Sequence, residues 1–144
     1  MRKGFTLLEL LIVVIVVGIL ATIAIPQFLT SVEKARVAKA KNALGLISHA
    51  EKMYRAENDE YVALEVSGDD DTALDNYIEL DQIRNDNDWN YVVTSTEATI
   101  FTITATKEGG AYAGATITLD QDGVCGPQEG DAGHPLRGRD CGAE

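Results

Sequence analysis

Glu9 is the residue whose placement most demands a chemical explanation. It stands inside FTLLELLIVVIVVGILATIAIP, an otherwise apolar run that follows the basic head MRKG. An ionised carboxylate in hydrocarbon costs on the order of several kcal/mol, so it needs a partner. No Lys or Arg lies between Lys3 and Lys34. The partner must be a terminal amine or another chain. A cut after Gly4 would put an amine on Phe5, about one helical turn from Glu9. Glu9 also lies near the positive N-terminal end of any helix built on this run. The other reactive residues are sparse. The chain has two histidines, His49 and His134, and two cysteines, Cys125 and Cys141. No nucleophile sits beside a base, no glycine loop could cradle phosphate, and no helical His pair offers a metal site. His134 between the cysteines gives three zinc ligands without a fourth. No catalytic residue, cofactor or metal ion is expected, and the chain reads as an enzyme's substrate rather than an enzyme.

The elements that position these residues follow from pattern. The apolar run is about 20 residues long, the length that crosses a bilayer as a helix. Helical periodicity continues beyond Pro26: Leu29, Val32, Ala40, Ala43, Ile47, Ala50 and Tyr54 share one face. Lys34, Lys41, Ser48 and Lys52 share the opposite one. One long helix over residues 5–56 is predicted, apolar all round to residue 28 and amphipathic over 29–56. Gly18 and Pro26 are its weak points, through low propensity and a missing backbone bond. Residues 57–88 form an acidic connecting loop, with a short helix near 73–81. Its Asp69-Asp70-Asp71 run lacks the alternate spacing of a calcium loop. From 89 to 124 the period becomes two. Trp89, Tyr91 and Val93, then Phe101, Ile103 and Ala105, then Ala115, Ile117 and Leu119 alternate with polar neighbours, many of them threonine. Three antiparallel strands follow, with Val124 a candidate start for a fourth. Gly109-Gly110 and Asp120-Gln121-Asp122-Gly123 read as turns.

Charge and topology bound the location. The 144-residue chain has a net charge of −11, which disfavours nucleic acid as a partner. Arg2 and Lys3 keep the N-terminus cytoplasmic by the positive-inside tendency. Cys125 and Cys141 then lie outside, where a disulfide is permitted. Such a bridge closes a C-terminal loop over 125–141, worth about 3 kcal/mol in the chain-entropy account. The basic helix residues Lys34, Arg36, Lys39, Lys41, Lys52 and Arg55 stand apart in sequence from the acids of 57–88. Pairing between copies of the chain is the expectation from that asymmetry.

Lys3-Gly4-Phe5-Thr6-Leu7-Leu8-Glu9-Leu10 resembles the class III signal of type IV pilins and their pseudopilin relatives. The match is by position: basic leader, Gly4 before the cut, Phe5 after it, Glu9 four residues on. It is specific over residues 1–30 and architectural beyond. The resemblance implies a four-residue leader removed by a prepilin peptidase and N-methylation of Phe5. It implies an α+β fold in which the apolar half of a long N-terminal helix protrudes and the amphipathic half packs on a small antiparallel β-sheet. The partners it implies are membrane lipid, the inner-membrane assembly machinery, and further copies of the chain in an extracellular pilus. Assembly would involve Glu9, and the segment bounded by Gly18 and Pro26, which can unwind in the family. A Cys125–Cys141 loop fits the disulfide-bounded tail of many pilins.

Rival readings remain. Within the same class the chain would be a pseudopilin of a type II secretion system. From another class, it would be a membrane-anchored exported binding domain. An ordinary secretory signal has a similar head and core, and Thr22-Ile23-Ala24 loosely resembles its cleavage site. Glu9 and the spanning length argue against it. The signal predicts a mature chain beginning at N-methylated Phe5, and Gly4→Val leaves precursor in the membrane. Intact mass of the native protein checks this, and a terminus at Ile25 would identify an ordinary signal peptide instead.

Overall fold

The structure is a computed structural model that describes residues 5–66, 73–97, 99–110 and 112–125, with the backbone alone at 96 and 97. The chain divides into two units, Met1–Ala35 and Arg36–Glu144. Helix α1 spans Leu7–Asn58, 52 residues with Pro26 inside it. The second unit holds the rest: β1 (Leu64–Glu65), α2 (Asp81–Arg84), β2 (Trp89–Glu97), β3 (Ile100–Lys107) and β4 (Thr116–Asp120). The strands form one antiparallel sheet in the order β1-β2-β3-β4. A long N-terminal helix with a four-stranded antiparallel meander is an α+β, pilin-like arrangement.

In the second unit, α1 buries Val37, Ala40, Ala43, Leu44, Ile47, Ser48, Ala50 and Glu51. These recur at three- and four-residue intervals, the spacing of a core-facing stripe. The sheet supplies the opposite wall through Trp89, Tyr91, Val93, Phe101, Ile103, Ala105, Ile117 and Leu119, all buried. Register explains the alternation. Tyr91 pairs Ala105, which pairs Ile117; Val93 pairs Ile103, which pairs Leu119. Thr102, Thr104, Thr106, Thr116 and Thr118 point to the other face and are half-buried. Tyr61 meets Phe101 edge-on with ring centroids 4.6 Å apart. Gly109 and Gly110 take φ of 71° and 75°, which is why glycines stand in the turn after β3.

Several expectations need correction. Ser48 faces the core, not the polar side, because the buried stripe is wider than one row of the helix. Leu29 is exposed. Residues 73–77 form a turn, and the short helix lies just after the expected segment, at Asp81–Arg84. The fourth strand is β1, ahead of the predicted three. Val124 lies outside any strand, and an isolated bridge joins Leu119 to Cys125. The Asp120–Gly123 turn behaves as read: Asp120 Oδ1 accepts from the N–H groups of Asp122 and Val124 at 3.0 and 2.8 Å.

The acidic connecting segment also supplies contacts that hold the head together. Buried Asp86 accepts from Lys39 Nζ at 2.8 Å, Tyr91 Oη at 2.9 Å and the Asp88 N–H at 3.0 Å. Asp88 lies 3.3 Å from Arg36 Nε and 4.0 Å from Lys107 Nζ. Lys107 in turn stands over the Trp89 ring, 5.4 Å from its centroid. Two acids thus tie helix cations to the sheet. The pairing expected between copies is, for Arg36 and Lys39, made within one chain. Burial pushes the Asp86 carboxyl up, but the Lys39, Asp88 and Tyr91 hydrogen bonds outweigh it and hold it below the usual range. Burial, then Asp86 as acceptor, pushes the Tyr91 phenol up.

Glu51 is treated oppositely. It is fully buried on α1, and its Oε2 accepts from the Val62 N–H at 3.1 Å. Oε1 has no hydrogen-bond partner among the described residues. Burial raises its pKa to about 7, against the smaller lowering by Val62. A carboxyl whose pKa rises on folding gives stability that is complete below the ordinary carboxylate range and lost as pH rises through about 7. Asp86 gives the reverse, stability present at neutral pH and lost as pH falls through its depressed pKa. The detergent-solubilised protein should therefore unfold at lower urea between pH 5 and pH 8, by up to about 3 kcal/mol. Glu51→Gln should flatten that slope. An unchanged slope in Glu51→Gln would place the pH dependence elsewhere.

Candidate functional site

The first unit carries the residues singled out from sequence. Phe5 and Thr6 precede the helix, and α1 begins at Leu7. The Thr6 carbonyl accepts the first intrahelical bond, from Leu10 N–H at 3.3 Å. The Thr6 N–H donates to Glu9 Oε2 at 3.0 Å, and the Glu9 N–H donates to Thr6 Oγ1 at 3.2 Å. The Thr6 hydroxyl also donates to Glu9 Oε2 at 2.9 Å. This reciprocal arrangement is a capping box, which satisfies two N–H groups left over at a helix start.

Glu9 thus has a partner that sequence reasoning missed. A carboxylate in an apolar run points first to a cation, and no Lys or Arg lies between Lys3 and Lys34. The signal was present as Thr6-Leu7-Leu8-Glu9, the spacing of a capping box ahead of an apolar run. Thr6 supplies two donors but no charge, so a full counter-charge still has to come from elsewhere. Gly4, the other half of the expected cleavage junction, lies outside the described residues.

Beyond Glu9, the helix is apolar and uncovered. Its large side chains, from Leu7 at 89% exposure to Leu29 at 58%, stand open. An 18-residue window reaches a mean hydropathy of 3.0 with none of it buried, long and apolar enough to cross a membrane. The few hydroxyls bond back to the helix. Thr22 Oγ1 donates to the Ile19 carbonyl at 2.7 Å, Thr30 Oγ1 to Pro26 at 3.1 Å and Ser31 Oγ to Gln27 at 2.9 Å. Such bonds let polar groups lie in an apolar medium. Pro26 cannot donate the bond that any other residue would give the Thr22 carbonyl. A Cβ at Gly18 would meet no heavy atom within 4 Å, so that stretch leaves room for close approach.

Among the described residues, the remaining candidates do not gather into a site. His49 is exposed on α1, and His134 lies outside the described residues. Cys125 is disulfide-bonded rather than a free thiol; Cys141 lies outside the described residues. Among the described residues no His, Cys, Asp and Glu group could hold a metal ion. A groove of about 520 Å³ between α1 and α2 is lined by Lys39, Asn42, Leu46, Glu79, Asp81 and Gln82 among others. It brings together no nucleophile and base among the described residues.

Comparison with known proteins agrees with the segment's geometry. Residues 1–25 match the prokaryotic N-terminal methylation motif. Residues 26–127 match the family described as type IV minor pilin ComP, DNA uptake sequence receptor. The type IV major pilin protein PilA of Myxococcus xanthus is 44% identical over 60 residues, which are 42% of this chain and 27% of that protein. The type II secretion system core protein G of Pseudomonas aeruginosa is 38% identical over 60 residues, 42% of either chain. In both, the match spans less than half of the relative's length. The core protein G of Vibrio cholerae is 34% identical over 134 residues, 81% of this chain and 92% of that protein. No solved structure gives a significant match. With a methylation motif at its start, a pilin family model across most of the rest and homologues among both pilins and pseudopilins, the chain belongs to the type IV pilin family.

Proposed function

We propose that the chain is a prepilin, the structural subunit of a type IV pilus. It enters the cytoplasmic membrane as a single-pass precursor and is cut after Gly4 by the prepilin peptidase. Phe5 is N-methylated, and inner-membrane machinery polymerises the product into an extracellular filament. The observation that carries this reading is the open apolar surface of residues 7–29 with its single capped acid. A surface of that size must be covered, by lipid before assembly and by neighbouring copies afterwards. In the filament, Glu9 of an incoming subunit meets the Phe5 amine of one already docked. That pairing rewards the correct axial register, because a misplaced subunit leaves a charge unpaired in an apolar core.

A second reading, a pseudopilin of a type II secretion system, is favoured by the Vibrio cholerae relative, whose match runs through the head as well as the helix. The ComP description raises DNA as a partner. The net charge of −11 argues against it, and so does the pairing of Arg36, Lys39, Arg84 and Lys107 with acids of the same chain. In either filament reading the chain acts on no substrate of its own. A lone anchored domain would stay with the membrane when fibres are sheared away.

Two measurements test the proposal. Glu9→Gln as the sole subunit should insert and be cleaved, yet give few or no sheared filaments. Wild-type filament yield from fully processed Glu9→Gln would remove the carboxylate from assembly. For the tail, a Cys125–Cys141 bridge predicts no reactive thiol in unreduced extracellular protein. Labelling of two thiols would count against the closed loop.

A further inference from the structure

In the head, α1 presents two exposed flanks of opposite charge. One flank borders the groove of about 520 Å³ against α2. Three carboxylates line that groove, Glu79, Asp81 and Asp86, against one ammonium, Lys39. Lys39 is already held by Asp86 at 2.8 Å. Asp81 is exposed and lies 3.9 Å from Arg84. Glu79 is exposed, with no ion-pair or hydrogen-bond partner among the described residues. Leu46, itself 49% exposed, gives the groove an apolar side. Such a groove suits a cation carried on an apolar stem. The other flank of α1 supplies one. Arg36 and Lys39 are spent on acids of the same chain, and Arg55 donates to Tyr61. Lys52 is exposed and, like Glu79, has no partner among the described residues. It stands about 120° round the helix from Leu46, so within one chain it turns away from the groove.

We propose that the groove between α1 and α2 is a socket for a second copy of this chain: Lys52 of one subunit enters the groove of the next and pairs with Glu79, with Asp81 at the rim. The inference rests on the filament reading above and names a contact between heads that the helix alone does not specify. Charge complementarity between the two flanks carries it. A contact that joins different patches of identical subunits is heterologous, so each subunit gives its lysine to one neighbour and its groove to another. Such a contact builds an open helical array when its rotation does not close a ring. The lysine stem lies along Leu46 and covers an apolar side chain that is open in the single chain. The ammonium meets Glu79 without displacing Lys39 from Asp86, so the clamp within the head stays intact.

The test uses filaments grown from equal ¹⁴N and ¹⁵N pools of the full chain and treated with a carbodiimide, which joins an amine to a carboxylate in contact with it. Mass spectrometry should find Lys52 joined to Glu79 or Asp81 in peptides of mixed isotope, the mark of a contact between copies. Lys52→Glu and Glu79→Lys should each lower the yield of sheared filaments about fivefold, the upper end for one exposed ion pair. The double variant should recover that yield. Both side chains are exposed and unpartnered, so all three variants should unfold in detergent at the urea concentration of the wild type. Lysine–acid cross-links that bypass the groove, or that carry one isotope only, overturn the proposal. So does wild-type yield from either single variant, or a double variant that folds as wild type and fails to recover. Those results leave the pilus reading standing, because filaments still form. A wild-type chain that is processed yet never assembles is a separate result: it sinks the filament reading, and the proposal with it.

Discussion

A carboxylate at the head of an uncovered apolar helix cannot be left without donors, and the N-terminal unit is built around that constraint. Thr6 gives Glu9 two hydrogen bonds, one from the backbone and one from the hydroxyl. In return Glu9 and Thr6 close the start of α1. The rest of the segment adds no second problem of this kind. Its hydroxyls at Thr22, Thr30 and Ser31 bond back to helix carbonyls, and its other side chains to residue 29 are almost all apolar. A capping box supplies dipoles rather than a charge, so it can hold Glu9 in a waiting state while leaving it able to exchange for a cation. The amine of a processed Phe5 is the cation the proposed assembly supplies.

The head solves the burial of acids in two ways. Asp86 and Asp88 sit where α1, β2 and β3 converge, and each is met by cations from the helix or sheet. Asp86 keeps its charge because hydrogen-bond donors surround it. Removing one partner would strand a charge, so the cluster acts as a unit. Glu51, on the same helix, has one backbone donor and, among the described residues, no cation in its hydrogen-bond set. It is pushed toward the neutral form instead. One carboxylate clamps the helix to the sheet through charge. The other holds the chain at Val62, just ahead of β1, by a hydrogen bond.

Periodicity made much of this legible. Period two from Trp89 and the helical stripe through Ala40, Ala43, Ile47 and Ala50 are strong signals because burial on one face selects them. The misses have physical causes. β1 has two residues, Leu64 and Glu65, too few for alternation to register. Glu51 and Ser48 are polar residues in the core, and their type argues for the opposite face until the sheet is in place. Asp86 and Asp88 look like more of the acidic run in sequence; only the fold brings Arg36, Lys39, Tyr91 and Lys107 to them. Thr6 was missed for a different reason. A charge points to a counter-charge, whereas the partners of Glu9 are a local hydroxyl and N–H. For the site, sequence places Glu9, Phe5, Gly18 and Pro26 on or beside one apolar helix and carries the Thr6–Glu9 capping spacing, while the fold shows the bonds themselves.

The proposed assembly turns on an exchange of partners by Glu9, from Thr6 in the single chain to a neighbour's Phe5 amine in the fibre. It can be observed directly in filaments grown from a mixture of two subunit pools, one carrying ¹⁵N at Phe5 and the other ¹³C at the Glu9 carboxyl. Solid-state dipolar recoupling then reports contacts between subunits alone. The exchange predicts a ¹³C to ¹⁵N distance of about 3–4 Å, that of an ion pair. Fibres that show no such coupling, with the Glu9 carboxylate still on Thr6, would contradict it.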